Sequence, residues 1–215
     1  MKKLLCAFLF LGPLLLRGQQ PTQSPVFGFL LGFDSQILGI ETLDGLEPER
    51  TAVLSDRPSA GGGVGVFGRW PLLSGLWLQQ EAVLSVAQNR VLFRPDGPVR
   101  YRFVDVELPL HFVVTNLSAG RAFPLRGSFL FGGRLGWNFA PDPTDRLRLY
   151  RERVALDLGL GVEISAKTWR IQPELVYSHG MNNLHSVTNT TYDGLVGRVV
   201  RDRLTLRVLV WKVRG

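Results

Sequence analysis

Cysteine, histidine and lysine are scarce in this chain of 215 residues. Its single cysteine, Cys6, lies near the N-terminus, so the rest of the chain has no thiol for a disulfide or a cysteine-based metal site. Lys167 and Lys212 are the only lysines after residue 3, although lysine is among the residues most often found on soluble surfaces. The sequence therefore excludes a disulfide scaffold and disfavours a soluble globular surface.

Long apolar runs are also missing after the N-terminal segment. A transmembrane helix needs about 20 predominantly apolar residues, and no later window of the sequence reaches that length. Helical periodicity is absent as well, while glycines and aromatic residues are spread along the chain. If the chain crosses a membrane, it must do so with strands.

The N-terminal segment has the pattern of a secretory signal peptide. Lys2 and Lys3 precede an apolar stretch, Leu4–Leu16, which ends close to the small residue Gly18. We expect cleavage after Gly18, so that residues 1–18 are a signal peptide and residues 19–215 form a single domain. A retained N-terminal anchor is the alternative.

Part of the net charge of +7 belongs to this segment. Removing Lys2, Lys3 and Arg17 from the 25 basic residues leaves 22 against 18 acidic residues, a net charge of +4. The remaining arginines are divided between loops and strands, without the clustered basic face and aromatic platforms typical of nucleic-acid binding. We therefore expect no nucleic-acid partner.

Alternation of apolar and polar residues predicts an all-β fold. In Val154–Ser165 every second residue is Val, Leu or Ile, and the residues between them are small or acidic. Successive side chains of a strand face opposite sides, so this segment has one apolar face and one face with carboxylates. Eight such segments are longer than the average strand of about 5–6 residues. They are Val26–Ile37, Gly61–Leu72, Leu76–Asn89, Val99–Val114, Arg126–Ala140, Val154–Ala166, Thr168–Gly180 and Arg203–Val213.

The connections between these segments alternate in length. Short ones lie near Leu73–Gly75 and at Lys167, while Thr115–Leu125 is longer than this rule expects. Long outer loops and short inner turns are typical of outer-membrane barrels. We therefore predict an eight-stranded antiparallel up-and-down transmembrane β-barrel with a polar interior filled by side chains. The predicted outer connections are Gly39–Ala60, Arg90–Pro98, Pro141–Arg153 and Met181–Asp202.

The two faces of the predicted strands differ consistently in charge. One face is almost free of charged residues, and the other holds acids and bases of both signs. An eight-stranded barrel is just wide enough to be filled by side chains, and an isolated buried charge is unfavourable. We therefore expect the charged face to point inward as an ionic network. Its predicted members are Arg69, Asp105, Glu107, Arg134, Glu163, Arg170, Glu174 and Arg207.

A soluble lipocalin-like barrel is an alternative with the same alternation. It would enclose Phe129, Phe131 and Trp137 as a ligand pocket and expose the charged face to water. The many glycines and few lysines of that face argue against it. Several aromatic residues near strand ends suit the interfacial girdles of a membrane protein. They are Trp70, Trp77, Trp137, Trp169 and Tyr177.

Catalytic and metal-binding patterns are weak. His179, His185 and Asp193 could form a metal site, but these histidines lack a metal-binding spacing, and solvated loop residues explain them as well. Ser178-His179 and His185-Ser186 are serine–histidine pairs without an identifiable orienting acid or oxyanion site. The glycines of Gly61–Gly65 lack the Lys-Ser/Thr end of a phosphate loop. We expect a non-enzymatic protein without a cofactor or metal.

Three segments resemble a known family. Val106–Val114 reads VELPLHFVV, and Leu156–Leu184 reads LDLGLGVEISAKTWRIQPELVYSHGMNNL. Both are similar to signatures of the outer-membrane β-barrel family of Bacteroidetes typified by PorT, and Gly132–Phe139 resembles its glycine-rich strand. The end of the chain, Trp211–Gly215, lacks the terminal aromatic residue usual for such barrels. The residues that match the family motifs are Glu107, Pro109, Leu110, Pro173, Glu174, Tyr177, Ser178, Gly180 and Asn183.

The resemblance implies an integral outer-membrane barrel of a Gram-negative bacterium. Within the family it implies a structural or scaffolding role in the type IX (Por) secretion system, with membrane lipid and other envelope proteins as partners. A small transport or ligand-binding barrel is the alternative function. Pro109 has no amide hydrogen, so we expect it at a bulge or a strand end.

Overall fold

The computed structural model describes residues 24–42, 53–55, 58–93, 96–118, 125–140, 147–166, 168–187, 192 and 195–212. The predicted signal peptide, residues 1–18, lies outside this range. The described residues are almost all in strands, as the alternation predicts.

Eight long strands make up most of the described chain. Three shorter strands, Val53–Ser55, Arg148–Leu149 and His185–Ser186, lie in the connections. The long strands are β1 (Val26–Thr42), β2 (Ser59–Leu73), β3 (Leu76–Phe93), β4 (Gly97–Ser118), β5 (Leu125–Asn138), β6 (Glu152–Ala166), β7 (Trp169–Gly180) and β8 (Val196–Lys212).

The eight strands form a closed antiparallel ring. Each strand pairs with the next along the chain, and β1 pairs with β8 along most of its length, from Gly28 opposite Trp211 to Thr42 opposite Val196. No edge of the main sheet is left among these eight strands, which is the arrangement of an up-and-down barrel. The predicted fold is confirmed.

Stepping from partner to partner around the ring reveals its stagger. A path from Gln36 of β1 through β8 and down to β2 returns to β1 at Val26, ten residues nearer the N-terminal start of the strand. Such a stagger tilts barrel strands by about 35–45°. An eight-stranded ring of this kind has room inside for side chains and little else.

The two ends of the ring differ. At one end, named the inner end, Ser74 and Gly75 turn β2 into β3, and Thr168 belongs to the turn before β7. Gly75 has a φ of 81°, a conformation that glycine adopts without a steric penalty. The opposite, outer end carries three longer connections and the three short strands. The fourth outer connection, residues 94–96 between β3 and β4, is shorter than the inner connection 119–124 between β4 and β5. Connection length therefore alternates only in part, and the predicted outer connection Arg90–Pro98 is too long because β3 and β4 continue into it.

The strands extend further toward the outer end than the sequence suggests. β1 continues past the predicted end at Ile37 to Thr42, and β8 begins at Val196 rather than at Arg203. The predicted outer connections Gly39–Ala60 and Met181–Asp202 are therefore too long. The pairing of Leu38–Thr42 with β8 compensates for the weaker alternation there, because each strand satisfies the backbone of the other.

Pro109 lies in the middle of β4, so the prediction of a bulge or a strand end is wrong. On the β3 side the ladder is interrupted: Gln80 pairs with Leu110, and the next pair is Val83 with Glu107. The register is the same on both sides of this gap. A proline has no N–H to donate, and the missing hydrogen bonds are confined to the side that faces β3.

Apolar side chains cover the outside of the ring. On β1 the outward residues Phe29 and Phe33 are 70% and 65% exposed, while Asp34 and Gln36, which follow them on the inward face, are buried. Phe129 and Phe131 also point outward, which contradicts the pocket that the lipocalin alternative would form from them. In the described part of the chain no helix is long and apolar enough to cross a membrane.

Two adjacent glycines of β5 differ in the space around them. A methyl group on Gly132 would lie 2.1 Å from the carbonyl oxygen of Leu110 and 2.8 Å from Cα of His111. At Gly133, on the outward face, the nearest atom would be 3.9 Å away. The backbones of β4 and β5 therefore approach closely only where Gly132 faces His111.

We expect Gly132→Ala to lower the free energy of unfolding by about 1–3 kcal/mol, because the strands must separate to admit the methyl group. Gly133→Ala is the matched control and should be close to wild type. Urea unfolding of the refolded protein in lipid vesicles measures both. Equal effects of the two substitutions would contradict the close approach at Gly132.

Candidate functional site in the barrel interior

The interior of the ring contains a dense set of buried charges, here named the interior ionic network. Its members among the described residues are the arginines Arg69, Arg134, Arg153, Arg201, Arg203 and Arg207 and the acids Asp34, Glu81, Asp105, Glu107, Asp157 and Glu174. The two sets are equal in number, so the formal charges of these twelve side chains cancel.

Glu107 of β4 is contacted by arginines from three other strands. Its Oε2 accepts hydrogen bonds from Arg134 Nη1 and Arg203 Nη2, both at 2.5 Å. Arg153 Nη1 lies 3.5 Å from Oε1 of the same carboxylate. Glu107 is fully buried. Because an unpaired charge in such a place is strongly unfavourable, Glu107 ties β5, β6 and β8 to β4.

A second group is centred on Arg207 of β8. Its Nε donates to Glu174 Oε2 at 2.7 Å, and its Nη1 donates to Glu81 Oε2 at 2.6 Å. Glu174 lies on the neighbouring strand β7, while Glu81 is on β3 across the lumen. This guanidinium therefore connects opposite walls of the barrel.

His111 joins the two groups. Its Nδ1 lies 3.1 Å from Glu81 Oε1, and its Nε2 lies 2.8 Å from Asp157 Oδ2. Arg134 Nε donates to the same Asp157 oxygen at 2.9 Å. The contacts are thus continuous from Arg207 through Glu81, His111 and Asp157 to Arg134. They extend across the lumen.

Arg69 closes the network toward the inner end. Its guanidinium donates to Gln79 and, at 3.0 Å, to Gln172 Oε1. The same group lies 5.2 Å from the centre of the Trp211 ring and 5.8 Å from that of Phe67. Cation–π attraction to these two rings stabilises the buried guanidinium in addition to its hydrogen bonds with the two amide side chains.

The outer third of the interior is apolar, which the prediction of a polar interior did not include. Tyr101 is buried there, and its hydroxyl donates to the carbonyl oxygen of Leu147 at 3.1 Å. We name this set the outer apolar cluster. It consists of Leu38, Val91, Phe93, Tyr101, Phe103, Leu147, Leu149, Leu184, Tyr192, Val196 and Val199.

Six of the eight residues predicted for the interior network lie in it. Arg69, Asp105, Glu107, Arg134, Glu174 and Arg207 are all buried in the lumen. The other two, Glu163 and Arg170, form a separate pair at the inner rim, with Oε1 and Nε 3.6 Å apart and side chains 14% and 26% exposed. Placing them in the buried network is therefore wrong: their strands end there, and water reaches the pair.

Sequence reasoning missed half of the network for two reasons. One reason is that inward residues of the predicted strands were not selected: Asp34, Glu81, Asp157 and Arg203, together with His111, which contacts the network. Arg153 and Arg201 lay in predicted loops, because the strands were ended at Val154 and Arg203. Continuing the alternation backward from Arg207 would have found Arg203 and Arg201 on the inward face of β8. Continuing it backward from Asp157 on β6 would have found Arg153.

The motif residues at the outer end of β7 stabilise a corner of the barrel. Asp202 of β8 accepts hydrogen bonds from Tyr177 Oη at 3.2 Å and from the Gly180 amide at 3.0 Å. Asn183 Oδ1 accepts from the amides of His185 and Val199, both at 2.9 Å. These contacts join the connection after β7 to the start of β8.

The remaining motif residues are divided between the two faces. Ser178 is buried in the lumen, as are Glu107, Pro109 and Glu174, whereas Leu110 is 47% exposed on the outside. Pro173 pairs with Val208 of β8. The motif therefore combines wall residues with members of the interior network.

The structure does not assemble the serine–histidine pairs into a catalytic site. Ser178 points into the lumen, while His179 is on the opposite face with its Nδ1 3.0 Å from Asp202 Oδ1. His185 and Ser186 lie in the short strand that pairs with Arg148–Leu149. Asp193, the third residue of the hypothetical metal site, lies outside the described residues. Among those that are described, no group of three His, Cys, Asp or Glu could hold a metal ion.

Comparison with one solved structure agrees with this fold, and others are similar to it over most of their length. The crystal structure of the outer membrane protein OprG from Pseudomonas aeruginosa superposes with a TM-score of 0.53 at 12% identity, covering 89% of this chain and 95% of that one. AlkL in lipid bilayers gives 0.46 at 14% identity, with coverage of 93% and 98%. Neisserial surface protein A gives 0.44 at 10%, with 87% and 99%. No protein-family model and no curated protein matches the chain.

Replacing the central carboxylate tests the ionic network. We expect Glu107→Gln to lower the free energy of unfolding by about 3–5 kcal/mol, because Arg134 and Arg203 lose the negative charge that both contact. The matched control is Glu163→Gln at the inner rim, where a partly exposed ion pair contributes about 0–1 kcal/mol. Urea titration in lipid vesicles measures both variants. A small effect at Glu107 would show that the network does not hold the strands together.

The position of His111 predicts its protonation. A carboxylate can only accept a hydrogen bond, so the contacts with Glu81 and Asp157 require both ring nitrogens to carry a proton. We expect both nitrogens to show the ¹⁵N chemical shifts of N–H groups in the folded protein at neutral pH. An unprotonated signal from either nitrogen would contradict the double contact, and Asp157→Ala is the control that removes one acceptor.

Proposed function

We propose that this chain is an integral outer-membrane β-barrel protein of a Gram-negative bacterium, with its apolar outside in lipid. The observation that carries the proposal is the reversed distribution of polarity: large apolar side chains are exposed around the ring, and the interior ionic network is buried within it. Contact of that apolar surface with water would be unfavourable in free energy, since burial of apolar area is the main driving force for folding. A hydrocarbon environment removes the penalty.

The dimensions of the strands support this location. A tilted strand needs about 9–11 residues to cross the hydrocarbon core, and the shortest of the eight, β7, has 12 residues. On β6 the outward residues Val154, Leu156, Leu158, Leu160 and Val162 are all apolar and exposed. Closure of the ring also satisfies every strand without a free edge, as a membrane requires.

A structural or scaffolding role is the activity that we propose for the barrel. The lumen is filled by paired charges in its middle and by the outer apolar cluster above them, which favours a rigid body over a conduit. The described residues also offer no assembled serine–histidine site, which favours a non-enzymatic protein. Partners would then contact the outer connections or the inner turns.

A role in type IX secretion is the more specific proposal. It rests on the resemblance of Val106–Val114 and Leu156–Leu184 to the PorT-like family. In the structure the first segment supplies Glu107 to the ionic network, and the second supplies Asp157 and Glu174. Co-purification of secretion-system proteins from native membranes would support this role, and a barrel recovered without them would not.

A small ligand-binding barrel is the second candidate, and one feature favours it. A groove of about 410 Å³ lies on the outside of the wall, where Phe27, Phe29, Trp70 and Leu108 surround the backbone of Gly68. Its lining is mostly apolar, so a ligand would be an apolar chain that reaches it from the membrane. The soluble binder that the sequence allowed would need the apolar face of each strand to point inward and the charged face to point outward.

Fractionation and heat-modifiability test the main proposal. We expect the protein in the outer-membrane fraction of native cells and, because a closed barrel resists detergent until it is heated, a shift in gel mobility after boiling. The Gly132→Ala variant should convert from the folded to the unfolded gel band at a lower temperature than Gly133→Ala. A protein that fractionates with the soluble periplasm and shows no shift would overturn the membrane location.

A further inference from the structure

Two glycines leave a small cavity in the middle of the lumen. Gly32 of β1 pairs directly with Gly63 of β2, and both lie on the inward faces of their strands. Neither residue has a side chain, and the space beside them measures about 20 Å³. A space of that size holds one particle about as large as a water molecule. We name it the glycine cavity.

The long strands supply the whole wall of the glycine cavity. Every residue that lines it belongs to one of the eight long strands, so its surroundings lie within the described part of the chain. The outer apolar cluster lies between it and the outer connections. Five of the lining residues are charged: Asp34, Glu107, Arg134, Arg203 and Arg207. Arginines therefore outnumber acids by one around the cavity.

Arg203 has an unused hydrogen-bond donor in this wall. Its side chain is 1% exposed, and its Nε has no hydrogen-bond partner among the described residues. The acids of the wall are already engaged: Asp34 accepts a hydrogen bond from Thr205 Oγ1 at 2.7 Å. Glu107 accepts hydrogen bonds from Arg134 and from Arg203 itself. Because a buried donor without an acceptor is unfavourable, an acceptor in the cavity would stabilise Arg203.

The charge of the whole interior has the same sign. The twelve arginines and acids of the interior ionic network cancel, and His111 is in addition to them. Its contacts with Glu81 and Asp157 require protons on both ring nitrogens, so the imidazole adds one positive charge. An uncompensated charge in a lumen without bulk water is strongly unfavourable. One negative ion inside the barrel would balance it.

We propose that the glycine cavity binds one small monovalent anion, chloride. The ion accepts a hydrogen bond from Arg203 Nε and balances the positive charge that His111 adds to the network. A water molecule could accept the same hydrogen bond but would leave that charge uncompensated. A cation would increase the excess, and a phosphate is too large for about 20 Å³. The inference concerns the lumen, so it does not depend on the proposed location of the barrel.

The dependence of stability on chloride tests the proposal. The full chain is refolded in neutral detergent micelles, and urea unfolding is measured at constant ionic strength while sodium chloride replaces sodium gluconate. Gluconate is far too large for the cavity. An ion that binds only the folded state stabilises it in proportion to the logarithm of its concentration above the Kd. We expect the unfolding equilibrium constant to fall by up to about tenfold for each tenfold increase in chloride.

A methyl group placed in the cavity should remove this dependence. In Gly32→Ala the added carbon lies 3.3 Å from Thr205 Cγ2 and 3.4 Å from Arg207 Cβ, so it fits with a small adjustment and occupies the space of the ion. The matched control is Gly133→Ala, whose added carbon is on the outward face with no atom nearer than 3.9 Å. We expect Gly133→Ala to keep the chloride dependence of the wild type and Gly32→Ala to lose it.

A second variant decides the question if Gly32→Ala does not fold. His111 does not line the cavity, so His111→Gln removes the excess charge and leaves the space open, and it should also lose the chloride dependence. Equal stability of the wild type in chloride and gluconate would show that the cavity holds water only and would overturn the proposal. Undiminished chloride dependence in Gly32→Ala or in His111→Gln would overturn it as well. So would a dependence on sodium, measured by replacing sodium chloride with choline chloride.

Discussion

Pairing of buried charges is the constraint on which the rest of this structure depends. The six arginines and six acids of the interior ionic network face one another in a lumen that has no room for bulk water, so each charge needs a partner on another strand. Glu107 and Arg207 meet this need by contacting residues from across the ring. The glycine of β5 opposite His111 belongs to the same arrangement, because it lets the backbone of β4 come close enough for the imidazole to reach both carboxylates.

The three layers of the interior have different roles. The outer apolar cluster closes the end with the long connections, the ionic network holds the middle, and Arg69 with its amide and aromatic partners closes the inner end. Most of each layer is made from inward-facing residues of the same strands, so polarity changes along a strand while the direction of its side chains does not. The outer apolar cluster also takes residues from the connections: Leu147, Leu149, Leu184 and Tyr192. The fold thereby combines a uniform outside with an inside that varies with depth.

The sequence was sufficient to predict the strands and which of their side chains face inward. It was insufficient to predict which buried charges contact one another. Alternation in segments such as Val154–Ser165 gives the direction of each side chain, because that depends on the strand alone. Whether Glu163 lies in the network or at the rim depends on the stagger of the ring, which no single strand encodes. Pro109 is the same kind of case: its missing N–H is evident in the sequence, but the identity of the strand that forgoes the hydrogen bond is settled only by pairing. The predicted start of β8 at Arg203 is too late, because pairing with β1 extends β8 back to Val196.

The seam between β1 and β8 also has a consequence for the order of assembly. The first strand to be synthesised must wait for the last, since Gly28 and Trp211 are partners across almost the whole length of the chain. Until β8 arrives, β1 has an open edge, and unpaired edges recruit other chains. Contacts so distant in sequence also form slowly. A nascent chain of this kind therefore depends on protection from aggregation between the synthesis of β1 and the closure of the ring.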